Sequence, residues 1–116
     1  MIKRSDQMNS TIIPHMREGN GEVEALPLLT GEEFCCHVRL FNIMTLKKGC
    51  SIGEHQHIAE TEYYYILSGS GTVSEKDGEK YVKKGDLVIT GNGESHAICN
   101  NADEDLVFVA IIVTEA

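Results

Sequence analysis

Positive charge is scarce in this 116-residue chain: ten Lys and Arg stand against eighteen Asp and Glu, for a net charge of -8. At that balance the field around the protein repels a phosphate backbone and an anionic bilayer alike, so nucleic acid and membrane surfaces are not expected partners. The basic pairs Lys3-Arg4, Lys47-Lys48 and Lys83-Lys84 read as solvated turn charges. Long apolar runs are missing too. MIKRSDQMNS carries positive charge without the seven or more apolar residues of a secretory signal. Nothing approaches the roughly 20 apolar residues of a membrane-spanning helix. A cytoplasmic location is the expectation. The length suits one compact domain and is too short for two of full size.

Cysteine spacing excludes a further class. No pair among Cys35, Cys36, Cys50 and Cys99 has the two-residue separation of a zinc or thioredoxin-type motif. Placed on a strand, Cys35 and Cys36 would point to opposite faces, which suits neither a mutual bridge nor a shared metal. Reduced thiols are expected in a chain lacking an export signal. Helix signals are nearly absent, and no repeat or low-complexity tract occurs.

What is present is β-patterning. From Phe34 the chain reads as FCCHVRLFNIMTL, ETEYYYILSG, GTVSEK, EKYVKKG, DLVIT, HAICN and DLVFVAIIV, bounded by glycine, asparagine or aspartate. Asp77-Gly78 is the favoured two-residue hairpin loop. Strands at this spacing predict an all-β sandwich or barrel over residues 32–116. Residues 1–31, with Pro14 and Pro27, predict an extended arm with short strand-like pieces, lying on the barrel.

The chemistry-bearing residues fall in GEHQHIAETEYYYILSG, residues 53–69. Alternation along an extended strand puts His55 and His57 on one face, close enough for both imidazoles to lean onto one cation. Two carboxylates follow, Glu60 and Glu62. A bend at Ile58-Ala59 could reset the alternation, so parity does not choose between them. Glu62 heads an apolar strand whose face it shares with Tyr64 and Ile66, whereas Glu60, nearer the bend, reads as solvated. His96 follows a glycine turn, Gly91-Asn92-Gly93, that could deliver it beside the first pair. Cys99 has the opposite parity to His96 and should face away. His15 and His37 read as ordinary surface or core histidines, and the direction of Arg39 is open. Tyr64 is the best candidate to line a pocket, with a core aromatic as the competing reading.

These spacings resemble the two motifs of the cupin superfamily. The first, a glycine, five residues, HxH, three or four residues, a glutamate, six residues and a glycine, is matched by Gly49, His55, His57, Glu62 and Gly69. The second, a glycine, five residues, proline-x-glycine, two residues, a histidine, three residues and an asparagine, is matched by Gly85, Gly93, His96 and Asn100. Gly91 replaces the proline and is expected to free the turn without touching a ligand position. The resemblance implies an antiparallel jelly-roll barrel, the double-stranded β-helix, holding one divalent metal through His55, His57, Glu62 and His96. It also implies a homodimer, commonly formed by exchange of N-terminal segments or sheet edges.

Three neutral imidazoles and one carboxylate leave such an ion with a net local charge of about +1. Mixed N/O donors suit Mn, Fe, Ni, Co, Cu or Zn. A six-coordinate ion keeps two positions for a small oxygen-bearing ligand, whereas a tetrahedral zinc is saturated and serves as a clamp. Two functions follow. One is an enzyme of decarboxylase, dioxygenase or isomerase type, with Glu62 exchanging protons and Tyr64 lining the pocket. The other is a metal- or ligand-binding module without turnover.

Overall fold

The computed structural model describes all 116 residues and contains ten strands with no α-helix. In chain order the strands are β1 (Thr11–Pro14), β2 (Glu22–Pro27), β3 (Val38–Leu46), β4 (Ser51–Gln56), β5 (Glu60–Ser68), β6 (Ser70–Glu75), β7 (Gly78–Lys83), β8 (Leu87–Thr90), β9 (Ser95–Cys99) and β10 (Leu106–Thr114). They form two antiparallel sheets, ordered β1-β2-β3-β10-β5-β8 and β4-β9-β6-β7. This is the jelly-roll barrel of the expectation.

The core lies between the sheets and follows from period-two alternation. Leu106, Phe108, Ala110 and Ile112 of β10 are buried, as are Tyr64 and Ile66 of β5, and the four-stranded sheet meets them with Ile52, Val73, Val82 and Ile98. Each large apolar side chain so enclosed contributes roughly 1.5 to 3 kcal/mol.

The segment before residue 32 is knitted into the larger sheet. β2 pairs with β3 from Val23↔Leu46 to Pro27↔Asn42, and β1 pairs with β2. Val23 and Ala25 join the core. β2 thereby covers an edge of β3 that would otherwise expose unpaired backbone groups.

Three local expectations need correction. Cys35 and Cys36 are not on a strand: β3 begins at Val38, and both thiols are exposed in a turn where Cys36 has φ 54°. The hairpin loop is Lys76-Asp77, one residue earlier than expected, since Gly78 already pairs with Glu75 and supplies positive φ (120°) at the start of β7. Gly91 is needed for room and not for conformational freedom. Its φ is not in the left-handed region, and a Cβ there would lie 2.5 Å from Thr61 Oγ1.

Candidate metal centre

His55 stands near the end of β4, opposite His96 at the start of β9. Between the pairs Ile52↔Ile98 and His55↔His96, β4 spends two residues where β9 spends one. That β-bulge at Gly53-Glu54 turns His55 inward even though Ile52, three residues earlier, is also buried. His57 follows the strand end and is held by backbone bonds from its N–H to Glu94 O and from Gly93 N–H to its own carbonyl. Glu62 comes from β5, inward like Tyr64 and Ile66.

These four side chains converge. Their ligand atoms lie within 4.8 Å of one another, a group able to hold a metal ion. His96 Nε2 is 2.9 Å from both His55 Nε2 and Glu62 Oε1, His57 Nε2 is 3.1 Å from His96 Nε2, and His55 Nε2 is 3.4 Å from Glu62 Oε1. His57, Glu62 and His96 are buried.

The outward nitrogens explain the convergence. His55 Nδ1 donates to Gly53 O at 2.7 Å and His57 Nδ1 donates to Glu60 Oε2 at 2.5 Å. His96 Nδ1 meets Thr90 Oγ1 at 2.7 Å. A carbonyl and a carboxylate accept only, so in neutral His55 and His57 the proton sits on Nδ1 and the Nε2 lone pair faces inward; the Thr90 hydroxyl can accept from His96 Nδ1 in the same way. Lone pairs and a carboxylate crowded this closely repel one another unless a cation lies among them. Committed outer nitrogens are the usual support of metal-binding imidazoles, so the donor set fits a divalent ion.

Glu60 therefore differs from its expected role. It shares the inward parity of Glu62 at the barrel rim, orients His57, and receives Arg39 Nε and Nη2 at 2.8 Å each. Arg39 is the unpaired β3 residue at a register shift in the β3–β10 ladder, between Leu40↔Ile112 and Val38↔Val113. The hydrogen bond from Arg39, against burial and aided by His57, holds the Glu60 carboxyl below its ordinary range. Period-two parity from Glu62 back to Glu60 was the signal available in the sequence.

In the ion-free centre, with protons on the inward Nε2 atoms in place of an ion, burial raises the Glu62 pKa, but hydrogen bonds from His55 and His96 and the charges of His96 and His57 bring it down to about 2. Burial lowers His96, partly offset by Glu62. Tyr64 is buried and stacks on His96 with ring centroids 4.9 Å apart. Burial, then the Glu62 charge, pushes its phenol well above the ordinary value, so it keeps its proton at neutral pH. His15, His37 and Cys99 lie outside the cluster.

A cleft of about 50 Å³ opens onto His55, His57, Glu62 and Tyr64. One water needs roughly 10 to 15 Å³ on this measure, so the space takes a few waters or one molecule of similar size. Its walls are apolar at Leu40, Met44, Ile52, Ala110 and Ile112, while Arg17 and Arg39 also line it. Arg17 was not singled out in the sequence. It is carried by the single turn Met16–Glu18, where His15, Arg17 and Glu18 all have positive φ and which packs against β4.

Comparison with known proteins places this geometry among relatives. The family model for the cupin domain matches residues 42–112. The chain is 42% identical over 113 residues to an oxalate-binding protein of Thermotoga maritima, covering 97% of this chain and 93% of that one. A Thermotoga maritima crystal structure described as a predicted oxalate decarboxylase superposes with a TM-score of 0.92 at 41% identity, covering 98% and 99% of the two chains. The polyketide cyclase RemF of Streptomyces resistomycificus, at 17% identity and a TM-score of 0.77 over 100% and 81%, shares the fold alone.

Proposed function

The chain belongs to the cupin domain family, and from that premise we propose that it holds one divalent transition metal at His55, His57, Glu62 and His96 and takes a small carboxylate of oxalate's size on it. The observation that carries this reading is the outward commitment of the imidazole Nδ1 atoms, which leaves inward lone pairs and a carboxylate around one point. The relative's name, an oxalate-binding protein, supplies the ligand class. A cleft with room for only a few heavy atoms and two guanidinium groups on its wall suits a compact anion.

The metal, when bound, supplies Lewis acidity toward the oxygen atoms of the carboxylate. The remaining work falls to the chain. Arg39, tied to Glu60, fixes His57 and adds positive potential at the rim. Arg17, on the cleft wall, makes no ion pair with an acidic side chain of the protein, so its guanidinium is free to donate charge-assisted hydrogen bonds to a carboxylate. Tyr64 keeps a proton beside Glu62 and can donate it in a hydrogen bond to a ligand oxygen. Apolar walls exclude water around the anion and strengthen each of these contacts.

Turnover by the decarboxylase route is the enzymatic form of this proposal, with Glu62 and Tyr64 as the groups beside the reacting carboxylate. Binding without turnover is the second reading, favoured by the relative's being named for binding. Equilibrium dialysis of isotopically labelled oxalate against metal-loaded and metal-free protein tests the shared claim. One oxalate per loaded chain and none in the metal-free chain is expected; absence of binding to loaded protein overturns the proposal. Release of labelled carbon dioxide from the loaded complex then selects the enzyme over the binding module.

A further inference from the structure

The cleft at the metal centre has two kinds of wall. Apart from Met16 and Arg17, every lining residue stands on β3, β4, β5 or β10, or follows β4 directly, as His57 does. Ladder hydrogen bonds and packing fix these positions, and Met44, Ile52 and Ala110 belong to the buried core. Met16 and Arg17 come from outside both sheets, on the turn that packs against β4. That turn is closed by hydrogen bonds from Glu18 N–H to His15 O and from Gly19 N–H to Met16 O, both at 2.9 Å. His15, Arg17 and Glu18 hold φ of 49°, 54° and 64°, a backbone region that residues other than glycine seldom enter. Such conformations persist where the surroundings over-determine them, and they cluster at ligand sites. Two glycines allow the close approach: a Cβ on Gly19 would collide with Ser51 O, and one on Gly53 with Arg17 O. The turn is thus pressed onto β4, with two consecutive side chains lining the cleft.

We propose that Met16 sets the length of carboxylate that the centre accepts, a specificity role that rests on the reading of this site as one for small carboxylates. A ligand held at the centre by its carboxylate oxygens has a cleft of about 50 Å³ for the rest of its chain. Arg17 offers that space a charged donor. Met16 offers it bulk, since a thioether is only a weak acceptor, and its unbranched chain fills an irregular gap closely. One methylene too many in an apolar pocket changes affinity by roughly 10- to 200-fold, so a single side chain here suffices to separate a two-carbon acid from a longer one. The strand-borne walls enlarge only by hollowing the core or breaking ladder pairs. Met16 is half-buried and packs on the outside of the core, which makes it the wall whose size can change with least cost to the fold.

The test is titration of the cobalt-loaded full chain with formate, acetate, propionate and butyrate, read from the visible absorption of the cobalt ion. Wild-type protein is expected to bind formate and acetate and to lose affinity with each further methylene. Met16→Ala should raise butyrate affinity by roughly 10- to 200-fold and leave formate affinity unchanged. Met16→Phe, which adds volume, should move the limit the other way and weaken acetate, while Met16→Leu, close in size, should keep the wild-type order. Because the alanine and phenylalanine variants shift the limit in opposite directions, a general loss of stability does not imitate the pair. The same length dependence in wild type, Met16→Ala and Met16→Phe overturns the proposal, as does a wild type that binds butyrate as tightly as formate. Carboxylate binding that ignores Met16 removes the length limit and leaves the small-carboxylate reading standing, whereas a cobalt spectrum that no carboxylate alters overturns both.

Discussion

Glu60 Oε2 lies 2.5 Å from His57 Nδ1, and the same carboxylate is gripped at 2.8 Å by Arg39 Nε and Nη2. The chain Arg39, Glu60, His57 runs from β3 through β5 to the end of β4 and aims one imidazole at the centre. Its energetic value lies in holding the ring before an ion arrives, so that less freedom is lost on binding.

Glu60→Ala should therefore weaken metal binding by about 10- to 100-fold without unfolding the barrel. Glu60→Gln retains an acceptor oxygen and should recover part of the loss. Competition with a fluorescent chelator measures both, and equal affinity in all three proteins would mean that the backbone alone orients His57.

His57→Ala should remove most of the bound metal while the barrel stays folded, because His57 is not part of the apolar core cluster that holds the sheets together. His37→Ala should leave metal content unchanged, since His37 is exposed and outside the cluster. Elemental analysis of the purified variants decides, and full metal occupancy in His57→Ala counts against the site.

Arg17→Ala should reduce oxalate affinity with metal affinity intact. A hydrogen bond to a charged group contributes about 1.5 to 3 kcal/mol, which is roughly 10- to 100-fold in the dissociation constant. Calorimetric titration of the loaded variant with oxalate reads it directly, and wild-type affinity would remove Arg17 from the proposed anion site.

Gly53→Ala should destabilise the protein by about 1 to 3 kcal/mol, because a Cβ there would lie 1.9 Å from the Arg17 carbonyl oxygen, far inside van der Waals contact. The turn carrying Arg17 would have to move, so oxalate affinity should fall alongside the thermal midpoint. Unaltered stability would show that the turn yields freely.

Acid should destabilise the metal-free protein in two stages. His96 is lowered from 6.5, first by burial, so the unfolded chain binds more protons and stability declines as pH drops below about 6.5. Glu62 is lowered from 4.5 to about 2, so its contribution is full above about 4.5 and is lost as pH falls toward 2. Added metal should raise the midpoint at neutral pH and lose that effect in acid, where protons compete for the imidazoles. Melting curves by circular dichroism from pH 8 to 2 check this, and a midpoint that stays flat from 7 to 4 without metal contradicts it.

Sequence alone determined the β class, the common face of Glu62, Tyr64 and Ile66, and the placement of His55 with His57 on one side of the chain. Each follows from period-two alternation, which is a local property of extended backbone. Only the tertiary structure decided which residues meet across strands. The bulge at Gly53-Glu54 that turns His55 inward, the Arg39–Glu60 clamp and the arrival of Arg17 from the N-terminal segment all depend on strand order and register. β3, β10 and β5 become neighbours although they are distant in the chain. Alternation names the face a side chain takes but not its cross-strand partner, and that partner sets the hydrogen bonds and the charge environment.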